Sequence, residues 1–144
     1  MIALDTNILV QAHHGEASFH EAAKSAVCKI AQSSTPWAIC FHSLIEFYGV
    51  VTHARLWHTS SSPEQALDQI RAWRESPRLR LLNDSEESLR ILEELLTSGN
   101  VRGAMVHDAR IAACCLAQGV RELWTVDRDF SRFPRIKIRN TLCV

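Results

Sequence analysis

The sequence predicts an α/β domain in which a mainly parallel sheet is covered by helices on both faces. Three observations carry that reading. Short apolar runs of strand length alternate with helix-length amphipathic segments from end to end, mostly in the order β, α, β, α. The helical segments carry their own punctuation, with capping residues where they start and glycine or proline where they stop. A chain of 144 residues, 47% hydrophobic and 22% charged, can bury a substantial core as one domain without disulfides. No repeat, low-complexity tract or linker divides residues 1–144.

Taken in order, residues 1–4 start a strand and "NILVQAHH" reads as a short helix. Phe19, Ala22, Ala23, Ala26, Val27 and Ile30 then recur at i, i+3, i+4 and i+7, the inward stripe of a second helix. Residues 37–41 make the second strand, a helix follows over about 43–54, and "TSSSP" is a surface loop. Ser62, Pro63 and Gln65 supply the cap, first-turn proline and capping-box partner of the next helix. Its inward stripe is Ala66, Leu67, Ile70 and Trp73, and Pro77 ends it. "RLRLL" at 78–82 is a third strand, and Asp84 with Glu87 forms a second capping box ahead of Leu89, Leu92, Leu95 and Leu96. Gly99 closes that helix. A last helix over about 107–118 stops at Gly119, and the runs at 122–126 and 136–139 complete the strands.

Sixteen basic and sixteen acidic residues give zero net charge, which argues against nucleic-acid binding by bulk charge. Locally the balance differs. Arg128, Arg132, Arg135, Lys137 and Arg139 crowd the last strand region against one acid, Asp129, as a charge-guarded edge strand or a phosphate-binding strip would. Five cysteines, odd in number and without a C-x-x-C pair, sit mostly in apolar runs, as reduced core thiols of a cytoplasmic protein do. The opening "MIALDTNILV" holds an acid within its apolar run and has no basic lead-in, unlike a signal peptide. No apolar run approaches bilayer-spanning length, so no membrane is expected.

Ligands of an open parallel sheet collect at the carboxyl ends of its strands. Four acids fall there: Asp5 after "MIAL", Glu46 in the first turn after "WAICF", Asp108 opening the last helix, and Asp127 after "LWTV". Each alone has a structural explanation. Glu46 suits a capping box with Ser43, Asp108 suits a helix N-terminus, and Asp5 with Asn7 could cap the first helix. Asp108 nevertheless shares a helical face with Ile111, Ala112 and Cys115. Four carboxylates at one edge repel one another and either take up protons or bind divalent cations. All-oxygen donors favour hard ions, Mg²⁺ or Mn²⁺, and two such ions about 4 Å apart can activate water and stabilise the leaving oxygen of a phosphodiester.

Other chemistries lack their motifs. There is no phosphate loop, dinucleotide-binding turn, nucleophile elbow or H-E-x-x-H helix. His13 with His14, and His53 with His58, lack metal-ligand spacing and read as surface residues. A phosphatase or phosphotransfer domain using Asp5 as nucleophile is the alternative enzyme. It would want a second acid where "LDTN" has Asn7, and a lysine at a strand end, whereas Lys137 falls within its strand. A non-catalytic binding module with the same cleft is the alternative outside enzymes.

Four segments in this order resemble the PIN-domain nucleases, in particular the VapC-type toxins of bacterial toxin–antitoxin pairs. "LDTNILV" is similar to the family's opening strand and first acid, and "SLIEFYGVVTHARLW" to its second-acid helix. "VRGAMVHDARIAACCLAQGV" is similar to its third-acid helix, and "LWTVDRDFSRFP" to its closing T-x-D-x-D-F element. The resemblance spans nearly the whole chain. It implies a three-layer α/β/α sandwich and a Mg²⁺-dependent endoribonuclease, a homodimer silenced by a small VapB-like antitoxin. Carried over by position, Asp5, Glu46, Asp108 and Asp127 would be the metal-binding quartet, with Thr6, Asn7 and Thr125 in support. Asp129 would be a neighbour that either reaches the ions through water or only holds the turn that follows. Water activated by metal would attack RNA without a covalent protein intermediate, leaving 5′-phosphate ends. Arg128, Arg132 and Arg135 are candidate phosphate contacts.

Overall fold

The structure, a computed structural model, describes residues 1–143. Strands β1 (Ile2–Leu4), β2 (Trp37–Cys40), β3 (Leu79–Leu82), β4 (Glu122–Trp124) and β5 (Lys137–Arg139) form one sheet. All pairings are parallel, in the order β3-β2-β1-β4-β5, with Leu4 in register between Ile39 and Trp124. The helices are α1 (Thr6–His13), α2 (His20–Gln32), α3 (Phe41–Val51), α4 (Pro63–Arg74), α5 (Glu86–Ser98) and α6 (Val106–Ala117).

Successive strand residues point to opposite faces, so a sheet covered on both sides needs apolar side chains at every position. Ala3, Ala38 and Leu123 face a core built with Ile91, Leu95, Ile111 and Cys115 of α5 and α6. Leu4, Trp37 and Ile39 face the other core, with Ile8, Val27, Phe47 and Trp73 of α1 to α4. This is the expected three-layer sandwich. From β1 the chain winds outward through β2 and β3, then returns to the far side of β1 for β4 and β5. The windings diverge at the carboxyl ends of β1 and β4, where such sheets form a ligand crevice.

The element order is as the sequence predicts, but several boundaries and faces differ. Helix α3 starts at Phe41, two residues early, with no side-chain cap. Glu46 therefore lies in the second turn, and the Ser43 hydroxyl is buried without a partner instead of capping with it. Helix α4 has the Ser62–Gln65 capping box, whereas α5 is capped by Ser85 with Ser88; Asp84 and Glu87 instead pair with Arg110 and Arg90. Phe19, Leu67 and Leu89 are exposed, and between Leu89 and Leu95 Ile91 is buried with Leu92 partly buried against the same core. Gly99 has an ordinary φ of −86°, and Asn100 takes the left-handed turn at φ 46°. Glycine is required at 99 by space: a Cβ would lie 2.9 Å from the Leu95 carbonyl oxygen.

Among the cysteines Cys40, Cys114 and Cys115 are buried and Cys28 and Cys143 exposed, all as free thiols. His14 is not a surface residue. It is buried, stacked on Trp57 at 3.8 Å between ring centroids, with Nε2 3.0 Å from the Thr59 carbonyl. His13 bonds Gln69 and Ser61, while His53 and His58 are exposed as read. No helix among the described residues is long and apolar enough to cross a membrane.

Candidate metal centre

Asp5 follows β1 directly and caps α1, so the capping reading holds but does not exhaust its role. Oδ1 accepts from the Thr6 backbone N–H at 2.8 Å; Oδ2 accepts from Thr125 Oγ1 at 2.7 Å and Asn7 Nδ2 at 2.9 Å. These donors fill three of the roughly four lone-pair positions of a carboxylate, leaving one for a ligand. Asn7 and Thr125 do more than support Asp5. Asn7 also donates to Thr125 Oγ1 at 3.1 Å and accepts from the Val126 N–H at 3.3 Å, while Thr125 accepts from the Asp127 N–H at 3.0 Å. The ends of β1 and β4 are thereby stitched together. The Thr125 backbone N–H still donates to the Arg139 carbonyl at 3.0 Å, which fixes the residue at the end of β4 while its hydroxyl serves Asp5.

The other acids converge on the same place. Glu46 Oε2 accepts from Thr6 Oγ1 at 2.9 Å, and its Oε1 lies 2.7 Å from His42 Nε2. Asp108 sits in the first turn of α6. Asp127 caps the short 3-10 turn Arg128–Arg132 by accepting from the Asp129 N–H at 2.8 Å. That turn brings Asp129 back, so that Asp108, Asp127 and Asp129 offer carboxylate oxygens all within 4.8 Å of one another. Asp5, Glu46, Asp108 and Asp127 line one cleft of about 290 Å³ with Thr6, Asn7 and Gln11. A larger hollow of about 530 Å³ around His13, Ser61 and Gln69, at the other end of α1, holds none of them.

Burial pushes the Asp5 carboxyl up to about 6 against the lowering effect of its Thr125 and Thr6 bonds, with Asp108 and Glu46 adding to the rise. Asp108 is likewise pushed up to about 6, first by burial and then by the charges of Asp127, Asp129 and Glu46. Two carboxyls held this far above their ordinary range, by burial first and by like charge second, are groups whose ionised form a divalent cation would stabilise. The donor set is all oxygen, so the residues present fit a hard ion such as Mg²⁺ or Mn²⁺.

The basic strip divides. Arg135 pairs with Glu94 at 2.7 Å, and Lys137 and Arg139 reach Glu122 at 2.9 and 3.8 Å. Only Arg128 and Arg132 of the five have no acidic partner among the described residues. Beside the cleft stand His42, which contacts Glu46, and behind it Arg110 and Asp84, none of them expected from the sequence to serve the site. His42 lies four residues before Glu46, a spacing that places two side chains together on a helix and could have drawn notice. Arg110 and Asp84 reach it only through the tertiary fold.

The PIN domain family model matches residues 2–136. Among curated relatives, the ribonuclease VapC48 of Mycobacterium tuberculosis is 27% identical over 136 residues, 94% of either chain. The ribonuclease VapC43 of the same organism is 28% identical over 142 residues, 99% of this chain and 96% of its own. The VapBC2 complex of Rickettsia felis, bound to promoter DNA, superposes with a TM-score of 0.71 at 23% identity, covering 97% of this chain and 98% of its own. Mycobacterium tuberculosis VapC20, described as a Sarcin-Ricin loop cleaving toxin, superposes at 0.68 and 21% identity, over 91% and 93%. The match spans strands β1 to β4, both helical layers and every acid of the cleft, and the chain belongs to the PIN domain family.

Proposed function

We propose that this protein is a cytoplasmic, Mg²⁺-dependent endoribonuclease, the toxin of a toxin–antitoxin pair, acting as a homodimer restrained by a VapB-like antitoxin. The observation that carries the enzymatic reading is the convergence of Asp5, Glu46, Asp108 and Asp127 in one cleft at the sheet's switch point. Relatives named as ribonucleases and structural neighbours solved as toxin–antitoxin complexes support the substrate and the partner.

Asp5, Glu46, Asp108 and Asp127 hold the ion, with Asp129 beside Asp108 and Asp127 as an added oxygen donor. Mg²⁺, or Mn²⁺ in its place, would supply Lewis-acid activation of water and neutralise charge on the phosphodiester. Thr125 and Asn7 keep the Asp5 carboxylate in one orientation, so little ordering remains when the ion arrives. Arg128 and Arg132 stand beside Asp127 to receive the flanking phosphates. Cleavage by water leaves a 5′-phosphate and a 3′-hydroxyl.

Mapping RNA 5′ ends in cells expressing the wild type or Asp108→Asn tests the reading. New 5′-phosphate ends with the wild type alone are the expected result; none with either protein refutes it. A phosphatase would instead release phosphate from a small monoester, but its lysine is missing here because Lys137 is engaged by Glu122. Neutralising Arg128 and Arg132 together should weaken RNA binding and reduce the slope of log K against log salt by about 1.4, at roughly 0.7 per phosphate contact on a single strand. An unchanged slope would remove both residues from the interface.

A further inference from the structure

His42 belongs to none of the acidic motifs, yet its ring lies between Arg110 and Glu46 at the edge of the site. Nδ1 lies 3.0 Å from Arg110 Nη1. Arginine can only donate, so Nδ1 accepts and the ring proton sits on Nε2. Nε2 lies 2.7 Å from Glu46 Oε1, but off the N–H axis, which leaves that buried donor without an in-line acceptor. Leaving a buried N–H slack against a carboxylate costs stability, and such costs gather at functional sites.

The imidazole is also anchored. Arg110 donates through Nε, at 2.9 Å, and Nη2 to Asp84 Oδ2, and the His107 ring lies nearly parallel to His42, 17° off at 5.8 Å. His107 and Arg110 flank Asp108 on α6, so His42 joins the helix carrying Glu46 to the helix carrying Asp108. The other oxygen of Glu46 accepts from Thr6, whose backbone N–H binds Asp5. Asp5 and Glu46 are thus linked by one chain of contacts that continues through His42 to the helix carrying Asp108.

We propose that His42 is a positioning residue for the metal centre: the imidazole, anchored by Arg110, aims Glu46 into the cleft and sets the spacing between Glu46 and Asp108. This rests on the nuclease reading above. Outer partners of metal-ligating carboxylates govern affinity through ligand orientation, and removing one costs about 10- to 100-fold. An incidental pair on a helix surface would leave metal affinity untouched.

The test is Mn²⁺ titration followed by electron paramagnetic resonance, alongside cleavage kinetics, for the wild type, His42→Ala, His42→Gln and Arg110→Ala. Expected for His42→Ala is Mn²⁺ binding weaker by about 10- to 100-fold and a fall in kcat, with KM for RNA changed by less than about threefold. His42→Gln, whose amide can place an N–H against Glu46, should recover most of the affinity. Arg110→Ala should weaken binding in the same direction by a smaller factor, and it decides the matter if His42→Ala fails to fold. Wild-type affinity in His42→Ala, or in Arg110→Ala where that variant decides, overturns the proposal, as does His42→Gln binding no better than His42→Ala. A wild type that binds no Mn²⁺ overturns the nuclease reading itself, and this inference with it.

Discussion

Asp108→Asn and Asp5→Asn each lower Mg²⁺-dependent RNA cleavage by a factor on the order of 10³, the scale seen when a group that stabilises transition-state charge is removed. Their effects on stability should be opposite. The Asp108 side chain accepts no hydrogen bond among the described residues and is surrounded by Asp127, Asp129 and Glu46, so an amide there loses no partner and relieves repulsion. Part-exposed as it is, the gain is discounted for solvent screening to about 1 kcal/mol. Asp5 accepts three bonds at two oxygens. An amide nitrogen must confront at least one of those donors, at a cost of about 1 to 3 kcal/mol. Urea denaturation without divalent ions separates the two. Cleavage within tenfold of wild type in either variant, or a less stable Asp108→Asn, would contradict this account of the cleft.

All four acids of the cleft were legible because the rule that finds them is topological. A parallel sheet gathers whatever follows its strands, and Asp5 and Asp127 follow strands whose apolar runs are unmistakable. The start of α3 is not legible: Phe41 and His42 give no capping signal, while Ser43 gives a false one that puts Glu46 one turn early. Asp84 and Ser85 are both good caps one residue apart, and the choice between them turned on Arg110, which draws Asp84 away across 26 residues of sequence. The basic strip misled for the same reason. Glu122, on the strand beside β5, and Glu94, on α5, neutralise residues that sequence order shows standing almost alone. Asp129 could not be resolved until the 3-10 turn folded it back beside Asp108 and Asp127. Local signals therefore gave the elements and the acids, and the partners of charged side chains came only with the tertiary structure.

Divalent-cation affinity and cleavage should both fall steeply below pH 6. Asp5 and Asp108 are each pushed up to about 6, and each must lose its proton to bind an ion. Between pH 7 and pH 5 the ionised fraction of one such group drops about tenfold, so two together lower affinity about a hundredfold. Because Asp5, Asp108 and Glu46 interact, the two steps belong to the cluster and not to single residues. The same shifts set the sign of a stability change. A carboxyl raised from 3.8 to about 6 on folding contributes stability that is fully present below 3.8 and lost as pH rises through 6. In EDTA these two groups therefore make the protein less stable from pH 5 to pH 7. With saturating Mn²⁺ that loss is cancelled, since the ion-bound carboxyls carry no protons and the ion binds more tightly at the higher pH. His13, whose titration is lowered by burial, works in the other direction in both samples and cancels in their difference. Melting curves across this range, with EDTA and with Mn²⁺, should diverge as pH rises through 6. Parallel curves would mean that the cluster does not exchange protons for a metal.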